Sequence, residues 1–227
     1  MILPNHQKQP LFPAIFQAVL VMAGIQFFRI LIFRFILCIT QSKDWYLSIG
    51  EFARGSTMLL TALVLLILFQ PSIRSLGLTR WNGTKRAKWI TISGVIILIL
   101  LAGINILMDQ SQLVPTLVSC LVFPLLEEML FRGWIWNHIS RALPDERGGL
   151  SAVLITAGLF AVWHLGYWDV ISTHIAMNVP AESILHIMGM KMIIAAIIGL
   201  FTGVLRWKTG NIYASMLFHA AWNLFGR

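Results

Sequence analysis

Residues 113–140 read LVPTLVSCLVFPLLEEMLFRGWIWNHIS. The run exceeds the roughly 20 apolar residues a helix needs to cross a bilayer, yet it carries Glu127, Glu128 and Arg132 near its middle. Ionised side chains at membrane depth are expensive unless they pair and face the interior of a helix bundle. The run is therefore expected to be a helix enclosed by other helices rather than by lipid. The whole chain of 227 residues agrees, being 58% hydrophobic and 11% charged with a mean hydropathy of +0.79. A soluble domain carries about a quarter charged residues. This composition excludes a cytosolic globular enzyme and a disordered chain, and it predicts an all-α, polytopic membrane helix bundle.

Upstream, the apolar stretch 11–40 is too long for a cleaved signal peptide and is interrupted by Arg29 and Arg34, so a retained helix is expected there. Arg34 can snorkel to the headgroups, whereas Arg29 lies deeper and is expected to face protein. Further spans are predicted at 51–70, ended by Pro71, and at 89–108. Downstream, spans are predicted at 150–165, 190–207 and 212–225. The mixed segment 166–189, with Asp169, His174, Glu182 and His186, reads as short interfacial or re-entrant helices. The total is seven to eight transmembrane or re-entrant helices. They are expected to form one integral membrane domain over 1–227, with spans in 1–108 and a core in 109–227.

The formal charge of +8 comes from 17 Lys and Arg against 9 Asp and Glu. The basic residues concentrate in the connectors 71–88, 141–149 and 206–211, which alternate spans place on one side. The positive-inside bias assigns that side, and the N-terminus, to the cytoplasm of a multi-pass cell-membrane protein. The excess charge is thus explained by the lipid bilayer as partner, and no nucleic acid is implied.

Helix rise places three polar clusters at one level. Counted from the basic ends, Glu127 lies roughly 18 Å deep, His164 roughly 22 Å and His219 roughly 12 Å. Glu128 and Arg132 are i,i+4 and can pair, while Glu127 points about 100° away. His219 and Asn223 share the i,i+4 spacing, as do Phe160 and His164. A carboxylate in a low-dielectric pocket beside an imidazole can hold and deprotonate a water. A second imidazole and an amide N–H can stabilise the oxyanion of an attacked carbonyl. No H-E-x-x-H helix and no G-x-S-x-G elbow is present.

Three motifs occur in order: Glu127-Glu128-Met129-Leu130-Phe131-Arg132, an E-E-x-x-x-R pattern; Phe160-Ala161-Val162-Trp163-His164, an F-x-x-x-H pattern; and His219-Ala220-Ala221-Trp222-Asn223, an H-x-x-x-N pattern. Together they resemble the CPBP (CAAX protease and bacteriocin-processing, or Abi) family of intramembrane proteases. The resemblance implies an eight-helix bundle and hydrolysis of a peptide bond in a membrane-associated peptide or protein. It implies that Glu127 activates the water with help from His164, that His219 and Asn223 form the oxyanion site, and that Glu128 with Arg132 orients Glu127. Two Glu and two His could also ligate zinc. Arg132 competes for a carboxylate and no metal spacing is present, so the expectation is no metal and no cofactor.

Two other functions fit a buried Glu/His cluster. One is a non-catalytic scaffold, such as an immunity or partner-binding protein on the same fold. The other is a small proton-coupled transporter. Among the remaining polar residues, Glu182 and His186 sit where a loop would tolerate them, and Trp134, Trp163 and Trp222 adjoin the motifs.

Overall fold

The computed structural model describes residues 10–40, 50–81, 84–144 and 148–225. The expected cytoplasmic N-terminus, and positions 82–83 and 145–147 of two basic connectors, lie outside the described residues. Eight helices are present among those described: α1 (Leu11–Thr40), α2 (Gly50–Phe69), α3 (Lys85–Met108), α4 (Gln110–Ala142), α5 (Gly148–Trp163), α6 (Trp168–Ala176), α7 (Ala181–Thr209) and α8 (Tyr213–Phe225). Six spans are long and apolar enough to cross a membrane: α1, α2, α3, α4, α5 continued through α6, and α7. The chain is a multi-pass membrane helix bundle. No strand occurs among the described residues.

The centre of the bundle is α4. On α1, the buried Ala14, Ala18, Met22, Ile25, Gln26, Arg29 and Phe33 recur on one helical face, which packs inward while Phe12, Phe27 and Phe35 stay exposed. Helices α5 and α7 pack against each other along much of their length. Gly199 and Gly203 of α7 are spaced as G-x-x-x-G, and a Cβ at Gly199 would lie 3.0 Å from the Ala157 backbone. Small residues at that crossing let the two backbones approach, the way membrane helices gain contact area without a hydrophobic driving force between them. Buried Thr57, Thr61, Thr156 and Thr202 return their hydroxyls to carbonyls one turn back, so these four hydroxyls are satisfied at depth.

Segment 166–189 departs from the expectation. It holds one short helix, α6, and a turn with Asn178 at φ 57°, after which α7 starts at Ala181 and runs 29 residues. The helix expected at 190–207 therefore begins nine residues earlier. Glu182 and His186 interrupt hydropathy without interrupting helix propensity, and Glu182 in the first turn suits the positive end of the helix dipole. The exposed first turns of α7 carry these polar groups outside the packed core.

Two stretches of α4, Val118–Val122 and Met129–Ile135, are wound as π-helix on either side of Phe123–Glu128. Such i→i+5 windings gather at functional sites. At the first, the Phe123 N–H bonds the Val118 carbonyl. The next donor in that register is Pro124, which has no N–H. The orphaned Ser119 carbonyl is taken by the Asn223 side-chain amide at 2.9 Å.

Helix α8 has thirteen residues, roughly 20 Å of rise against a hydrocarbon core of about 30 Å. It brings His219 beside Glu128 of α4.

Candidate active site

Glu127, Glu128 and Arg132 are 1%, 0% and 0% exposed at the middle of α4. The His219 imidazole lies across both carboxylates. Its Nδ1 donates to Glu128 Oε1 at 2.9 Å, and its Nε2 lies 3.6 Å from Glu127 Oε2. Arg132 Nη1 pairs with Glu128 Oε1 at 3.4 Å, and Arg132 Nη2 donates to the Gly199 carbonyl at 3.1 Å. With one proton shared between His219 Nε2 and Glu127, these four groups sum to zero charge whichever atom holds it. That balance is what makes their burial tolerable, because an unpaired charge at this depth is strongly destabilising. Glu128 Oε2 and Arg132 Nε are buried without a hydrogen bond among the described residues, so the cluster keeps spare polar capacity.

Glu127 has a second set of partners. Its Oε1 accepts from the Trp163 indole N–H at 3.2 Å and from the Tyr167 hydroxyl. Behind these rings stands Arg29 of α1, with its guanidinium 4.6 Å from the Tyr167 ring centre and 5.5 Å from that of Trp163. Arg29 donates to Gln26 at 2.6 Å and pairs with Asp169 at 3.6 Å, while Gln26 donates to the Trp163 carbonyl at 2.8 Å. A helix that read as a generic span thus supports the aromatic pair that holds Glu127.

His164 occupies the 3₁₀ turn that ends α5. Its Nδ1 lies 2.9 Å from the Phe160 carbonyl. A carbonyl only accepts, so Nδ1 carries a proton, and in the neutral form of the ring Nε2 is the basic nitrogen. The ring packs 4.7 Å from Phe160 and 4.8 Å from Tyr167. Phe160, fully buried, also faces Arg132 at 4.5 Å and His219 at 5.8 Å and forms the apolar wall of the cluster.

The structure thus brings Glu127, Glu128, Arg132 and His219 into direct contact. It sets His164 against Tyr167, one residue removed from Glu127. Asn223 is turned to Ser119, with one amide hydrogen used there and the other unassigned. Among the described residues no group of three or more His, Cys, Asp or Glu is disposed to hold a metal ion. Glu128 Oε1 is engaged by both Arg132 and His219, and each His219 nitrogen faces a carboxylate. Glu128 is thus already engaged by a guanidinium and an imidazole, whereas Glu127 and His219 are not paired with Arg132.

Sequence reasoning missed Tyr167, Arg29, Gln26 and Asp169. The available signals were the i,i+4 spacing of Trp163 and Tyr167 and the i,i+3 spacing of Gln26 and Arg29 within an apolar run. Of the three tryptophans beside the motifs, only Trp163 bonds the cluster. Trp134 stacks on His138, and Trp222 is partly exposed beside Phe218.

Residues 109–225 match the family model described as Type II CAAX prenyl endopeptidase Rce1-like, a stretch that takes in α4 through α8. No curated protein and no solved structure matches the chain.

Proposed function

The chain belongs to the Rce1-like CAAX endopeptidase family, and on that premise we propose that it hydrolyses a peptide bond in a membrane-associated peptide or protein with a water activated by Glu127. The observation that carries this reading is the pair of adjacent, fully buried carboxylates tied to one imidazole from another helix. A purely structural ion pair accounts for Glu128 with Arg132. It leaves no reason for a second carboxylate at the same depth, held by its own indole and hydroxyl donors.

In the proposed reaction Glu127 takes a proton from water as the water oxygen attacks the scissile carbonyl carbon. His164 assists through its basic Nε2. The oxyanion accepts hydrogen bonds from His219 and from the amide hydrogen of Asn223 not engaged by Ser119. The proton held by Glu127 then passes to the leaving amine as the C–N bond breaks, and the carboxylate is regenerated. Glu128 and Arg132 hold His219 in register, and Tyr167 with Trp163 fixes the rotamer of Glu127. No metal takes part, a choice supported by the engagement of Glu128 by Arg132. We assign the basic ends of the helices, and with them the N-terminus, to the cytoplasm, and take 1–227 as one membrane unit whose reacting groups lie in 109–227.

The test is co-expression with candidate membrane-associated peptides, comparing wild type and Glu127→Gln by mass spectrometry. Loss of a general base costs about 10²- to 10⁴-fold, so cleavage products are expected to vanish in the variant. Full processing by Glu127→Gln overturns the protease reading. Retention of an intact partner with undiminished cellular function assigns a scaffold instead, and proton-coupled uptake in liposomes assigns a transporter.

A further inference from the structure

One end of the bundle carries a cavity that the proposed chemistry does not use. The connector after α2, the end of α4 and the end of α7 border an open concavity of about 880 Å³. Four arginines line it: Arg74, Arg80, Arg141 and Arg206. The hydrogen bonds that assemble it are long-range. Arg206 Nε donates to the Arg132 carbonyl at 2.7 Å and Nη2 to Asn137 Oδ1 at 3.2 Å. Asn137 in turn donates to the carbonyls of Arg74 and Ser75 at 3.3 and 3.0 Å. The Ile212 N–H bonds the Gly77 carbonyl at 3.2 Å, and Thr79 donates to the Gly210 carbonyl at 3.2 Å. The walls are thus held by side-chain and backbone hydrogen bonds between distant segments, and Arg206 is held 7% exposed.

Orientation by the positive-inside bias requires basic residues on this side but does not require them to converge on one concavity. Four like charges gathered without a counter-ion repel one another. Among the described residues no carboxylate lines the space or pairs with Arg74, Arg80, Arg141 or Arg206. Asp145 and Glu146 lie outside the described residues. Arginine presents planar, bidentate donors that match phosphate oxygens. The cavity lies at the ends of three membrane helices, the level of lipid headgroups, and the 68% exposed Ile73 on its rim offers apolar contact beside the charge.

We propose that this cavity binds a phosphate group, carried in the membrane by the headgroup of an acidic phospholipid. The site is separate from the Glu127 cluster, and its occupancy is read without any proteolysis.

The experiment titrates phosphatidylglycerol, phosphatidylcholine or inorganic phosphate into the purified full chain in neutral detergent and follows the thermal unfolding midpoint. Phosphatidylglycerol is expected to raise the midpoint and phosphatidylcholine to leave it unchanged. Arg74→Gln/Arg80→Gln/Arg141→Gln is expected to raise the half-saturating concentration on the order of 100-fold, the loss of about one strong charge-assisted hydrogen-bond set. Lys85→Gln/Arg86→Gln/Lys88→Gln removes the same formal charge at residues that do not line the cavity and is expected to change it by less than about threefold. If the control triple weakens binding as much as the cavity triple, the attraction is diffuse surface charge and the site is overturned. If neither phosphatidylglycerol nor inorganic phosphate shifts the midpoint, the site is likewise overturned. An equal shift from inorganic phosphate upholds the phosphate site and assigns its source to solution. Arg141→Gln alone, at an exposed position, reads the same site if the triple variant is not recovered.

Discussion

Helices α3 and α4 are consecutive and both read as membrane spans, yet they end in opposite surroundings. No residue of α3 is buried, whereas more than half of the apolar run of α4 is. Beyond its first turn α3 carries no charged residue, so lipid can cover its outer face, and against the bundle its Gly94 lies close to Leu217 of α8. α4 carries two carboxylates and a guanidinium that lipid cannot solvate, so the other helices close around it. Apolarity alone leaves a span free to sit at the periphery. Buried charge draws neighbours, because only protein donors and acceptors can replace the water it has lost.

Breaking the ion pairs of α4 is the strongest way to test this contrast. Arg132→Met leaves Glu128 buried beside His219 without its guanidinium, and the expected cost is about 3–5 kcal/mol in thermal or denaturant unfolding in detergent. Adding Glu128→Gln should recover part of that loss, since the uncompensated charge then goes too. A smaller effect separates the two helices by one identical substitution. In α4, a Cβ at Gly133 would lie 2.4 Å from the Leu76 carbonyl oxygen and 2.5 Å from its carbon. Backbone cannot swing aside, so Gly133→Ala is expected to cost about 1–3 kcal/mol. In α3, a Cβ at Gly94 meets the far end of the Leu217 side chain at 2.6 Å. That side chain can rotate away and alanine favours helix by roughly 1 kcal/mol, so Gly94→Ala is expected to be neutral or stabilising in the same assay. Equal losses at the two positions would erase the distinction between a peripheral and an enclosed span.

The smallest effect lies in the turn between them. Asp109 accepts from the Ser111 N–H at 3.0 Å and from the Gln112 side chain at 3.2 Å, and hydrogen bonding to Ser111 and Gln112 holds its carboxyl below the ordinary range. A carboxyl lowered on folding stabilises fully above its unfolded value of roughly 4 and loses that contribution as pH falls through the folded value. Asp109→Asn should leave the unfolding midpoint close to wild type at neutral pH and flatten its decline in acid.

Much of the site could be read from residue spacing. Glu128 and Arg132 at i,i+4 do pair, and Glu127 and His219, counted to similar depth, do meet, because helix rise is uniform. Other contacts could not be read this way. Nothing local in α1 announces that Arg29 stands behind Tyr167 and Trp163, since that contact joins residues far apart in the chain. The bond from Asn223 to Ser119 depends on a π-winding and on the missing N–H of Pro124, and the i,i+4 pattern of α8 is silent about both. Segment 166–189 holds a short helix as expected, α6, but from Ala181 it belongs to α7, because Glu182 and His186 lower hydropathy without ending a helix.

The amino-acid sequence alone determined that this is an all-helical membrane protein, where most of its spans run, and which charged residues had to be turned away from lipid. Those follow from transfer free energy and helix periodicity, which are properties of each segment by itself. Tertiary structure decided which groups those charges met: one imidazole laid across two carboxylates, an arginine from the first helix backing the pair that holds Glu127, and three distant basic segments brought together at one concavity. The reason is that a side chain's partner at membrane depth is set by how the helices cross, and a crossing belongs to two segments at once.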